Sequence, residues 1–386
     1  MRPVSKLLIL ALVASTFAFS GVARSQEEAP KVTLEAESAT IDFGDIVRLK
    51  GVITPVAEGQ SISIFDTADG LLDQVLTDAQ GRFTAELLTD SNLDLYAQWG
   101  EAISEIQQVK VVPLISARLG RVRLFGKSVV SGTVTAPPTG GRVMVSVFRN
   151  GRFLWKREAN LSGTDYRFSF TVQRPGSFRA RAAYANPDLE PAKVETDAKA
   201  TRLPNLGEGS QGPFVKLLER RLRHIGYHLT GVNSTFDYRT ADAMRAFNKV
   251  QGSPRVGTVS EATWRALAAP EIPKPRARSP KFHIEVDQTK QVLYVVEGGK
   301  VRKIIHVSTG AGYATRDGVF HVHRKLAGHS GNRLYYPSYF DGLRAIHGWT
   351  SVPTYNASHG CVRVPYWTAQ WIYGLADIGT EIRIYH

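Results

Sequence analysis

Ser358-His359-Gly360-Cys361-Val362-Arg363 holds the only cysteine of a 386-residue chain. A second histidine stands a short loop upstream, in Ile346-His347-Gly348-Trp349. A lone cysteine is either a small buried hydrophobe or a reactive thiol. The flanking His-Gly and the nearby His347 favour the reactive reading. A thiol attacks a carbonyl as a thiolate, so its pKa must fall or a base must take its proton. His347 is the candidate base. The base needs an orienting partner on its other ring nitrogen, and Gly348 can offer its carbonyl. The tight Gly360-Cys361 turn can aim successive N–H groups at one point. A helix expected from Pro365 to Leu375, with proline at its favoured first position, adds its positive end.

The residues around this stretch read as strands. Phe282-His283-Ile284-Glu285-Val286 and Val292-Leu293-Tyr294-Val295-Val296 flank a turn. Lys303–Val307, Val319–Val322 and Glu381–Tyr385 follow, which predicts a mostly β domain over residues 281–386 with one helix after the cysteine. Eight of the ten histidines fall after residue 280, so groups that titrate near neutrality collect beside the thiol. His321 and His323 share a strand face, but no third ligand stands at suitable spacing. No metal and no cofactor are expected.

Upstream, residues 269–280 carry four prolines and read as a stiff extended linker. Before it, Phe214, Leu217, Leu218, Leu222 and Ile225 recur at helical spacing and Gly226 stops the run. A second helix is expected from about Thr240 to Val250, and a third from Ser260, a good N-cap, through Trp264 and Leu267. Residues 210–268 therefore form a small three-helix bundle.

Residues 29–113 and 114–201 read as two copies of one unit. Phe43-Gly44-Asp45-Ile46-Val47 matches Phe125-Gly126-Lys127-Ser128-Val129 at an offset of about 82 residues. Ser61–Phe65 matches Met144–Phe148, and Gly81–Ala85 matches Tyr166–Phe170. Apolar and polar residues alternate in these runs, as in strands with one buried face. Short strands in units of this length predict β-sandwiches that resemble immunoglobulin-like modules, read as spacers.

Residues 1–25 have a basic start, an apolar run from Leu7 to Phe19 and small residues near Ser25, the order of a secretion signal. The run is short for a spanning helix, and an uncleaved membrane anchor is the alternative. The formal net charge is +13, spread along the chain without a basic block. Export argues against nucleic acid and fits an anionic envelope polymer.

The ordered set His347…Ser358-His359-Gly360-Cys361-Val362-Arg363 resembles the signature of the L,D-transpeptidase catalytic domain. Ser308-Thr309-Gly310…Thr315-Arg316-Asp317-Gly318 resembles its lead-in, and Tyr336-Pro337-Ser338-Tyr339-Phe340 its aromatic flap. Gly226-Tyr227, Phe236-Asp237, Phe247, Val256–Val259 and Thr263-Trp264 resemble the three-helix peptidoglycan-binding domain, with Glu219 and Tyr238 departing from its usual pattern. The resemblance implies a Cys361 nucleophile and a His347 base oriented by the Gly348 carbonyl. It implies an oxyanion hole from the backbone of His359, Gly360 and Cys361. The His359 ring reads better as a fastener of the turn than as a second catalytic group. Arg363 stands where many members have Asn, and can bind a stem-peptide carboxylate. Tyr336, Tyr339, Trp349 and Ser358 are further substrate-binding candidates. The substrate implied is a peptidoglycan stem tetrapeptide and the reaction a 3→3 cross-link. Three readings stand beside it: an L,D-carboxypeptidase, an enzyme that attaches a protein to the wall, and a non-catalytic wall-binding protein. The expected location is the cell wall, periplasm or outer envelope.

Overall fold

The computed structural model describes residues 29–135, 141–331 and 333–386. The secretion-signal reading of residues 1–25 and its membrane-anchor alternative lie outside the described residues, as does the Ala136-Pro137 end of the second repeat. No helix among the described residues is long and apolar enough to cross a membrane. The chain divides into two compact units, one reaching Val112 with Asp188–Glu190, the other Pro113–Pro187 with Pro191–His386.

The first unit is a pair of sheets. One holds Lys31–Ala36, Ile46–Thr54 and Arg82–Leu88; the other holds Thr40–Asp42, Gln107–Val112, Leu93–Trp99, Ser61–Asp66 and Gly70–Leu76. Alternation sends Val32, Leu34, Val47, Leu49, Ile62, Ile64 and Phe83 into the core between them. The second unit opens with the same plan. Lys127–Thr135 pairs Asp165–Thr171, and Arg142–Arg149 lies between Arg152–Glu158 and Ser177–Ala185. The three matched sequence runs thus occupy equivalent strands, as repetition of one hydrophobic pattern requires.

Three helices follow: α1 (Pro213–His224), α2 (Tyr238–Val250) and α3 (Glu261–Ala268). Asp237 caps α2 through the N–H groups of Arg239 and Thr240, and Ser260 forms a capping box with Thr263 on α3. Val215, Leu218, Leu222, Met244, Phe247, Trp264 and Leu267 are buried. Val215 rather than Leu217 leads the inner face of α1. Glu219 is also buried; its carboxylate accepts from the N–H groups of Asn233 and Ser234 and from the Thr240 hydroxyl. A turn clamp therefore stands where the family pattern differs.

The strands that follow the helices are β1 (Phe282–Asp287), β2 (Val292–Glu297), β3 (Lys300–His306), β4 (Gly318–His321), β5 (Arg324–Lys325), β6 (Tyr335–Asp341), β7 (Arg344–Trp349) and β8 (Val362–Pro365). Helix α4 (Tyr366–Leu375) and strand β9 (Glu381–Tyr385) end the chain. One sheet runs β3-β2-β1-β9-β4, the other β5-β6-β7-β8. Their shared core holds Ile284, Val286, Leu293, Val295, Phe340, Ile346, Val362, Val364, Ile372, Ile382 and Ile384. Each such side chain contributes about 1.5–3 kcal/mol on burial. Pro365 caps α4 rather than opening it. The proline-rich stretch is pinned: the N–H groups of Arg276 and Ala277 donate to the buried Glu285 carboxylate at 2.9 and 2.8 Å.

Candidate active site

Strands β7 and β8 run parallel, with Ile346 opposite Val362 and His347 opposite Arg363. Side chains alternate across a strand, so Ile346, Val362 and Val364 enter the core. Ala345, His347 and Arg363 consequently share the opposite face, and Cys361 directly precedes β8, where the cations of Arg363 and Arg344 act on its thiol.

His347 is 2% exposed, and its Nδ1 lies 2.9 Å from the Gly348 carbonyl oxygen. A carbonyl only accepts, so Nδ1 carries the proton and Nε2 presents its lone pair. Burial holds this imidazole down at about 4, with the Arg363 charge adding to the effect. The Trp349 ring meets it edge-on at 5.5 Å, and the Arg363 guanidinium lies 5.4 Å from the Trp349 ring centre. Position 348 must be glycine for packing: a Cβ there would stand 2.7 Å from Ala369 Cβ on α4.

Cys361 is half-buried, and its Sγ lies 3.9 Å from the Leu343 carbonyl oxygen. Burial pushes the thiol up, opposed by the Ala345 backbone hydrogen bond and by the cations of Arg363 and Arg344. Burial thus favours the neutral form of both the thiol and the imidazole.

The turn before the sulfur is held from inside. The Ser358 hydroxyl donates to the Cys361 carbonyl at 2.6 Å and accepts from the Gly360 N–H at 3.1 Å. Thr315 Oγ1 donates to the Gly360 carbonyl at 2.9 Å and accepts from the Gly310 N–H at 2.7 Å. Gly360 has φ +123°, and a Cβ there would stand 2.8 Å from Arg344 Nε. Only glycine meets both demands. Neither the His359 N–H nor the Cys361 N–H donates to any group among the described residues. Two donors beside the sulfur remain uncommitted.

Several sequence expectations change here. The His359 ring is exposed and makes no hydrogen bond among the described residues; Ser358 and Thr315 fasten the turn instead. Ser358 is 3% exposed with both hydroxyl roles filled, so it shapes the turn rather than meeting a ligand. The Gly360 N–H is spent on Ser358, which leaves it no part in an oxyanion hole. Tyr336-Pro337-Ser338-Tyr339-Phe340 is no flap but β6, an interior strand between β5 and β7. Tyr339 is buried, with the Arg324 guanidinium 4.0 Å from its ring centre, and the Tyr336 ring packs edge-on against Tyr335 and Tyr373. Both are walls because their strand has neighbours on each side.

Arg344 is not among the candidates that the sequence singles out. Its Nε donates to the Ala314 carbonyl at 2.9 Å and its Nη1 to Asp341 at 2.9 Å, placing a cation against the cysteine turn. Asp341-Gly342, with Gly342 at φ +55°, is the hairpin signal that would have located it.

With this geometry in view, two family models match the chain. The L,D-transpeptidase catalytic domain covers residues 281–384, and a peptidoglycan-binding domain covers residues 211–267. No curated relative matches. Among solved structures, an L,D-transpeptidase from Xylanimonas cellulosilytica is 36% identical, with 49% of this chain and 100% of that one covered and a TM-score of 0.45. An L,D-transpeptidase from Stackebrandtia nassauensis is 26% identical, covering 47% of this chain and 95% of that one, with a TM-score of 0.31. The chain thus carries an L,D-transpeptidase catalytic domain at residues 281–384, with a peptidoglycan-binding domain ahead of it.

Proposed function

We propose that the protein is exported and forms 3→3 cross-links in peptidoglycan through a Cys361 acyl-enzyme. Its two recognised domains direct it to peptidoglycan, hence to the cell wall or periplasm. The observation that carries the reading is the fixed tautomer of His347. Gly348 holds Nδ1 at 2.9 Å, so Nε2 is the ring's free base, on the strand that pairs with the one Cys361 leads into.

As the sulfur attacks the carbonyl before the terminal D-alanine, its proton passes to His347 Nε2. The oxyanion lies against the His359 and Cys361 N–H groups, donors aimed where charge develops. The C–N bond breaks, D-alanine leaves with the proton from His347, and a thioester remains. The side-chain amine of a second stem attacks this thioester and gives its proton to His347. The sulfur then leaves and recovers that proton. Arg363, beside the base on the same face, is the candidate for the stem carboxylate, and Trp349 for the groove wall beside it.

The test incubates the full chain with a purified disaccharide-tetrapeptide and follows products by mass spectrometry. Dimer plus released D-alanine supports the proposal. Tripeptide alone makes the enzyme a carboxypeptidase, and dimer from Cys361→Ala overturns the mechanism.

A further inference from the structure

The helical domain does not hang on a tether. Gly226–His228, just after α1, lies along β3 as an added edge: the Ile304 N–H donates to the Gly226 carbonyl and the His228 N–H to the Ile304 carbonyl, both at 3.0 Å. Trp367 Nε1 on α4 donates to Asp242 on α2 at 2.9 Å, and the His228 ring stacks on Trp367 and Trp371 at 5.1 and 4.1 Å.

At the centre of this joint lies Lys249, in the last turn of α2 and 3% exposed. Its ammonium meets three acceptors. The Gln291 carbonyl is 2.8 Å away, the Val307 carbonyl 2.9 Å and His306 Nδ1 2.6 Å. His306 Nε2 lies 2.8 Å from the Val352 carbonyl and so bears the ring proton, which leaves Nδ1 bare to accept. Every proton of the ammonium is used. A buried lysine is costly unless so satisfied, and a purely adhesive joint has no need of one.

Two routes run from this ammonium to the catalytic turn. Through His306 it fixes Val352, in the loop of residues 350–357 that joins the base to the nucleophile. Through Gln291 it reaches Thr309: Gln291 Oε1 accepts from the Thr309 N–H at 2.8 Å, and Nε2 donates to the Thr309 hydroxyl at 2.6 Å. The Thr309 carbonyl in turn accepts from the Ala357 and Ser358 N–H groups at 2.8 and 3.0 Å. A third tie, from Arg255 just beyond α2, runs from Nη1 to the Thr354 carbonyl at 2.7 Å.

We infer that Lys249 is a positioning residue of the active site: the helical domain inserts this ammonium to set the loop between His347 and Cys361. The inference rests on the Cys361 and His347 roles proposed above. It makes the helical domain part of the catalytic unit, whatever polymer that domain also binds.

The test compares the full chain with Lys249→Met, Lys249→Arg and Arg255→Ala, measuring tetrapeptide turnover and amide hydrogen exchange across residues 350–361. Lys249→Met is expected to lower kcat tenfold or more with KM within twofold, and to speed exchange in that loop tenfold or more. Lys249→Arg should restore part of both. Arg255→Ala, at an exposed position, should lower kcat about threefold in the same way. A folded Lys249→Met with wild-type kcat and exchange overturns the inference, and so does a loss confined to KM. If Lys249→Met does not fold, Arg255→Ala decides: wild-type kcat and exchange in it overturn the inference. If the wild-type chain turns over no tetrapeptide, the proposed reaction fails by itself, and the exchange comparison still decides this inference.

Discussion

His347 at the catalytic face and His306 at the joint with the helical domain are built alike and used differently. Each ring is buried, each gives one N–H to a backbone carbonyl, and burial lowers each pKa. The difference is the second nitrogen. Lys249 fills that of His306, whereas among the described residues no partner takes that of His347. One carbonyl contact fixes a tautomer; what meets the opposite nitrogen decides between a structural brace and a base.

Removing each ring separates the two uses. His347→Ala is expected to lower turnover roughly 10²–10⁴-fold, the span for a lost general base, with folding retained by circular dichroism. A smaller, mixed effect is expected from His306→Ala. It leaves the Val352 carbonyl and one Lys249 proton unpaired in the interior, costing about 1–3 kcal/mol in denaturant unfolding.

Acid sharpens the contrast. With His347 held at about 4, turnover should stay level below neutrality and fall only as pH drops through that value, where the imidazolium can no longer accept a proton. Stability behaves differently. A histidine whose pKa lies lower folded than unfolded favours the fold above the unfolded value of about 6.5, and that contribution is lost as pH falls toward the folded value. Thermal melts should therefore show weakening from about pH 6.5 downward while activity in the folded fraction persists. His306→Ala should flatten part of that slope.

The smallest shift in the pH–rate profile belongs to Arg363→Gln, whose lost carboxylate contact should show separately as a raised KM. Its charge is a minor cause of the low His347 value, so the acid limb of the pH–rate profile should move slightly upward on removal. An unmoved limb would place the guanidinium's influence elsewhere.

What could be read from the residues alone follows a physical division. Alternation and helical spacing are local, so the paired strands of the repeats, the capped helices and β1 to β3 were legible, with boundaries off by a few residues. The contact between His347 and the Gly348 carbonyl was legible, because a buried imidazole needs an acceptor for its N–H and the next residue offers one. Lys249 and Arg344 were not: a single cation in a basic chain carries no pattern until the fold buries it. Tyr336 and Tyr339 misled because an aromatic strand flanked on both sides looks, in one dimension, like an aromatic loop. His359 misled for the opposite reason: Ser358 and Thr315 hold the turn from inside, and the His359 ring stays in solvent.

The most direct measurement is the mass of the protein quenched in acid during turnover of a tetrapeptide, with peptide mapping of the adduct. One tripeptide acyl group is expected in thioester linkage at Cys361, absent from Cys361→Ala and slow to accumulate in His347→Ala. Turnover without an adduct, or an acyl group on any other residue, contradicts a Cys361 acyl-enzyme.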